Sequence, residues 1–157
     1  MGDRTDSTND EATRSNLARL AEALLRYYNV TEPPVPIERM LKEPPAGLTA
    51  IDSDQVSYIM EHGLYRYEPR LAMARLLYRE IANSEAAMEA LGVKVSSSIP
   101  YADMRLFARY LLMPADWITT LCQQGLSVEQ ISAYLQVPPD AVITRLAELE
   151  LPIPAKP

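Results

Sequence analysis

The chain has 157 residues, a net charge of −6, 48% hydrophobic residues, five glycines and a single cysteine. That length suits one domain with a core of its own, and the composition suits a compact, helix-rich soluble protein. The acidic balance speaks against broad affinity for nucleic acid or anionic membranes, because nothing supplies counterion release. No apolar run approaches the ~18 residues of a membrane span, and the opening MGDRTDSTNDEATRS holds no signal-peptide core. Cys122 alone cannot form an intramolecular disulfide. It fits a reducing, cytoplasmic setting, and its apolar surroundings predict a small packed residue.

Residues 1–11 are polar, acidic and unpatterned, which predicts a disordered tail. Over residues 12–28, Leu17, Leu20, Ala21, Leu24, Leu25 and Tyr28 recur at intervals of three and four, the spacing of an amphipathic helix. The run NVTEPPVP ends it, since proline removes donors and forces extended backbone. Pro36 then sits at the first turn of a short helix over residues 37–42 that packs Ile37, Met40 and Leu41 inward. Residues 48–51, 56–60 and 64–67 are short β-suited runs punctuated by Gly47, Asp52, Asp54 and Gly63, and only here does the sequence predict strands.

Pro69 opens a helix reaching about residue 83, with Leu71, Ala74, Leu77, Tyr78 and Ile81 on its apolar side. Residues 84–91 give a further short helix ending at Gly92, and residues 93–100 a loop. Residues 101–113 form a strongly patterned helix through Met104, Phe107, Ala108, Leu111 and Leu112. Pro114 stops it and starts the next, over residues 115–124, closed by Gly125. Residues 127–135 and 139–149 predict a helical hairpin, and Pro152, Pro154 and Pro157 an extended tail. Asp103 and Asp116 stand near helix starts, where exposed N–H groups favour a carboxylate. The spacing of Trp117, Tyr27, Tyr28, Tyr78, Tyr110 and Tyr134 predicts packed or half-buried rings in place of a stacking platform for bases.

Two segments carry a resemblance. Residues 100–118, PYADMRLFARYLLMPADWI, resemble the E-x-x-A-[ND]-x-F-A-x-x-L-L-M-P signature of the ImmA/IrrE metallopeptidase family. That family carries H-E-x-x-H one helix upstream, on a line such as R-F-T-L-A-H-E-L-G-H, where residues 70–79 here are RLAMARLLYR. Arg75, Leu76 and Arg79 then stand where His, Glu and His belong, and Tyr101 where the acidic third ligand belongs. The hairpin sequence LSVEQISAYLQVPPDAVITRLAELEL extends the resemblance toward the C-terminus, so that it covers roughly residues 24–151.

In an H-E-x-x-H helix the residues four apart share a face, so both imidazoles reach one Zn²⁺ while the Glu acts on its bound water. A guanidinium has no lone pair to give and stays protonated, so Arg75 and Arg79 repel a metal, and Leu76 cannot act as a general base. His62 is the only histidine of the chain. The resemblance therefore implies no metal, no cofactor and no peptidase activity. Two readings of Arg75 and Arg79 remain open. One is a solvated helix face pairing with acids such as Glu80. The other is a persisting basic pocket, with Arg66 and Arg70 nearby and Tyr78 and Tyr101 on its walls, that takes a carboxylate or phosphate.

The hairpin also has the pattern of a helix-turn-helix: Ser127 caps, Ile131 and Leu135 pack, Val137 sits in the turn, and Val142 and Leu146 anchor the second helix. Against Glu129, Asp140, Glu148 and Glu150 it carries only Arg145, too few cations to dock on phosphates. The resemblance thus implies an α+β, mostly helical fold: a zincin-like scaffold with a short sheet and a C-terminal hairpin, in one domain over residues 12–151 flanked by a tail at 1–11 and a Pro-rich tail at 152–157. It implies a non-catalytic regulatory module binding a repressor-like protein or a small anion. The alternatives are an acidic helix-turn-helix regulator and an enzyme of unrelated chemistry in the same cleft.

Overall fold

The computed structural model describes residues 3–51, 53–61 and 67–155. Among them the chain forms helices and no strand. In order these are α1 (Asp3–Tyr27), α2 (Ile37–Lys42), α3 (Ser53–Glu61), α4 (Glu68–Ala82), α5 (Glu85–Leu91), α6 (Tyr101–Leu112), α7 (Ala115–Gln123), α8 (Val128–Leu135) and α9 (Pro139–Glu148). None of these helices is long and apolar enough to cross a membrane.

The core is built where the apolar spacing places it. Helix α4 lies against α6, and α6 in turn against α1. Ala74, Leu77, Tyr78 and Ile81 of α4 and Phe107, Leu111 and Leu112 of α6 are all buried. The rings of Tyr78 and Phe107 meet with centroids 5.1 Å apart at a tilt of 54°, an arrangement that suits the aromatic quadrupole. Tyr78 closes its polar end by donating to the Ser96 carbonyl at 2.7 Å. Burial and the Asp103 carboxylate push its phenol up to about 12. Leu17, Leu20 and Leu24 bring α1 onto the same core.

Local signals end the helices as expected. Pro69 occupies the first turn of α4, Ser84 caps α5 by accepting from the Ala87 N–H, and Gly92 closes it in the left-handed region. Ser127 and Gln130 form a reciprocal capping box at α8, which satisfies two N–H groups at once. Helices α8 and α9 pack as a hairpin around Ile131, Leu135, Val137, Val142 and Leu146, all fully buried, and Ser132 Oγ donates to the Val137 carbonyl across the turn. Gly47 has a φ of +96° and lies so close to α5 that a Cβ there would stand 2.6 Å from that of Ala86. Only glycine fits that approach.

Three expectations are corrected. The α+β scaffold with a short sheet is replaced, among the described residues, by an all-helical fold. Residues 56–60 lie inside α3, and residues 48–51 form no regular element, Leu48 giving its N–H to the Pro45 carbonyl and Ile51 to the Leu41 carbonyl. Of residues 64–67, only Tyr67 is described, and it begins α4 with a φ of +71°. The physical reason is that a strand persists only if another strand accepts its ladder, and a run of four or five apolar residues satisfies helix and strand patterns alike. Finally, α1 begins at Asp3, so residues 3–11 continue the helix and are not an irregular tail, although residues 7–11 are exposed. A helix already nucleated on its buried half extends at one hydrogen bond per residue, with no apolar stripe needed.

Candidate functional site

The four residues at the substituted peptidase positions do not converge on one cleft. Leu76 is buried, at 4% exposure, where a general base would have to reach a ligand. Arg75 is half-buried and lies 5.5 Å from the centroid of the exposed Tyr101 ring, a cation–π contact on the surface between α4 and α6. Arg79, one turn on, is exposed, and its carbonyl accepts from Asn83 at the helix end. Arg70 turns inward, with its guanidinium on Glu38, on the Val35 carbonyl and on the Gln136 carbonyl, and Tyr78 belongs to the core. Arg66 and His62 lie outside the described residues. Among the described residues, no three His, Cys, Asp or Glu side chains gather where they could hold a metal ion.

The more structured site lies elsewhere, in a groove of about 470 Å³ where α1, the α6–α7 turn and α9 meet. At its base is Arg145. On α9 it occupies the apolar stripe formed with Val142, Leu146 and Leu149, at the i, i+3, i+4, i+7 spacing of a buried face. The residue is 6% exposed. Its Nε donates to the Met113 carbonyl at 2.9 Å, and its guanidinium carbon stands 4.8 Å from the centroid of the Tyr110 ring. No fully buried side-chain nitrogen or oxygen among the described residues lacks a hydrogen bond. The two terminal amino groups of Arg145 form none with the described residues, and the side chain lines the groove. Burial lowers the pKa of the guanidinium, opposed by Glu148 and Tyr110, yet an arginine stays cationic at any cellular pH.

The walls are apolar and aromatic: Ala18, Ala21 and Leu25 from α1, Val30 beyond it, half-buried Trp117 from α7, and Leu149 after α9. Tyr110 presents a phenol whose pKa burial and Glu148 raise, against the pull of Arg145, Arg14 and Arg109, so it remains a neutral donor at neutral pH. Glu148 is held by Arg109 at 2.7 Å, a pair whose side chains are only 18% and 21% accessible. Glu22 and Asp116, by contrast, are exposed at the rim, Asp116 in the first turn of α7. The arrangement suits binding and orientation. It offers a planar donor fork matched to a carboxylate, apolar walls and a neutral phenol. Its described residues include no nucleophile with an adjacent base.

Sequence reasoning placed Arg145 as the lone cation of the hairpin and Trp117 as a packing residue, but did not join them. The available signal was an arginine standing on an otherwise apolar helical stripe. Of the other aromatic expectations, Tyr28 is buried, while Tyr27 and Tyr134 are exposed at 43% and 55%. The Cys122 thiol is half-buried, and burial raises its pKa away from reactivity. Comparison with known proteins finds no matching family model, no matching curated protein and no matching solved structure.

Proposed function

We propose that this chain is a non-catalytic binding module of the cytoplasm, and that its ligand is a small monoanion, a carboxylate, held by Arg145 in the groove between α1, α6, α7 and α9. The observation that carries this reading is a guanidinium 6% exposed that lines the groove and, among the described residues, is hydrogen-bonded only through its Nε. Desolvation of a cation is costly unless it is paired, so an anion that completes its hydrogen bonds recovers part of that cost. Three lining acids, Glu22, Asp116 and Glu148, disfavour phosphate dianions and favour a single negative charge. The placement of Arg75, Leu76 and Arg79 supports the non-catalytic half of the reading, because the peptidase positions offer no base and no ligand set. The resemblance to ImmA/IrrE proteins over roughly residues 24–151, most specific at residues 107–114 and the hairpin that follows, agrees with a regulatory role. The helix-turn-helix alternative is weakened by the burial of Arg145, since the only cation of that hairpin faces the body of the protein and not a docking surface.

The test is thermal denaturation in acetate, propionate, hexanoate and phosphate at constant ionic strength. It uses the parent, Arg145→Lys, Arg145→Met and the Arg75→Ala/Arg79→Ala double variant. Carboxylates are expected to raise Tm in the parent and in the double variant, and to lose that effect in both Arg145 variants. A flat response in the parent refutes the reading. Loss of the effect in the Arg75→Ala/Arg79→Ala variant alone would move the site to α4.

A further inference from the structure

The charges of the groove are not mixed at random: the cation is at the base and the unpaired acids are at the mouth. Arg145 is buried against the Tyr110 ring, whereas Glu22 and Asp116 are exposed, one on α1 and one at the start of α7. Neither of the two is in an ion pair within 4.0 Å among the described residues, while Glu148, the third acid, is occupied by Arg109. Between the two levels run apolar walls that include Trp117. A plain carboxylate satisfies the base of this arrangement but is repelled at its mouth. A plain amine satisfies the mouth but leaves the guanidinium unpaired.

Resting on the binding reading above, we infer that the ligand is a small zwitterion with an apolar body, bound carboxylate-inward on Arg145 with its ammonium group outward between Glu22 and Asp116. The carboxylate accepts from the two terminal amino groups of Arg145, which bond to none of the described residues, in the planar fork geometry that guanidinium favours. The hydrocarbon body lies along Trp117, and the ammonium is attracted by the rim acids. A volume of about 470 Å³ is in the range of sites for small organic molecules and well above that needed for an inorganic ion. This differs from an anion site in one measurable respect: adding an amine to a carboxylate ligand improves its affinity.

The experiment is calorimetric titration of the full chain with 6-aminohexanoate, hexanoate and hexylamine, repeated on Glu22→Gln/Asp116→Asn. Both substitutions lie on the exposed rim and leave the core untouched. In the parent, 6-aminohexanoate is expected to bind about five-fold more tightly than hexanoate, the size of two partly screened surface charges, and hexylamine to bind weakest. In the rim variant the advantage over hexanoate should vanish while hexanoate itself gains. Hexanoate equal to or tighter than 6-aminohexanoate in the parent overturns the zwitterion and leaves the anion site standing. Binding of hexylamine as tight as that of 6-aminohexanoate also overturns it, because the rim alone would then suffice. Failure of all three to bind removes the anion site as well.

Discussion

Two arginines of this protein are buried to the same degree, 6% exposed each, and they do different things. Arg70, at the start of α4, uses every nitrogen it has. Nη1 reaches both carboxylate oxygens of Glu38 at 2.9 Å, Nη2 donates to the Val35 carbonyl at 2.5 Å and Nε to the Gln136 carbonyl at 3.0 Å. It thereby fastens α2, the loop before it and the α8–α9 turn to one helix. Arg145 makes a single hydrogen bond with the described residues and covers a tyrosine ring. The same residue type at the same depth is architecture where its donors are spent, and a candidate binding element in the proposed site where they are left over. Burial alone does not distinguish the two; a count of satisfied donors does.

The comparison can be broken by mutation. Arg70→Met should cost the most, about 3 kcal/mol, because it leaves two buried carbonyls without donors and Glu38 without its partner. Urea denaturation measures it, and a loss below about 1 kcal/mol would mean that the clamp is decoration. Arg145→Met should cost less, about 1–2 kcal/mol, since methionine keeps the apolar stem against Tyr110 and only the Met113 carbonyl is orphaned. If the two substitutions cost the same, the distinction between spent and unspent donors fails.

Tyr78 sharpens the contrast from the core side. Its folded pKa is raised from 10.0 to about 12, so the neutral phenol is the form that folding favours. The sign follows: this contribution is fully present below about pH 10, the unfolded value, and is lost as pH rises toward 12. Tyr28, likewise raised to about 12 by burial first and then by Tyr27, adds to the same loss. Urea midpoints should therefore fall across that window. Tyr78→Phe, costing about 1 kcal/mol at neutral pH for the unpaired Ser96 carbonyl, should fall less steeply there. A parent midpoint that stays level to pH 11.5 would contradict the burial of these phenols. The smallest effect belongs to the residues that first attracted notice: Arg75→Ala and Arg79→Ala should each cost under about 0.5 kcal/mol, apart from a small cation–π contribution of Arg75. A larger loss at Arg79 would show a partner that its exposed position does not suggest.

Much of the helical framework was legible because helices are written locally. A backbone bond from residue i to i−4 closes within one turn, so Pro69, Ser84, Gly92 and Ser127 mark boundaries by themselves, and the spacing of Leu77, Tyr78, Phe107 and Leu111 marks the faces that meet. The two expected strands that fall on described residues failed for the converse reason. A strand is defined by a partner remote in sequence, and residues 48–51 and 56–60 found none; the latter closed their hydrogen bonds within α3 instead. The candidate site was least legible. Glu22, Tyr110, Trp117 and Arg145 come from α1, α6, α7 and α9, and no local pattern connects them. Sequence alone determined that α9 carries a cation on its apolar stripe. Only the tertiary packing decided which of its donors the described residues would satisfy and which they would leave over, because those partners arrive from other helices.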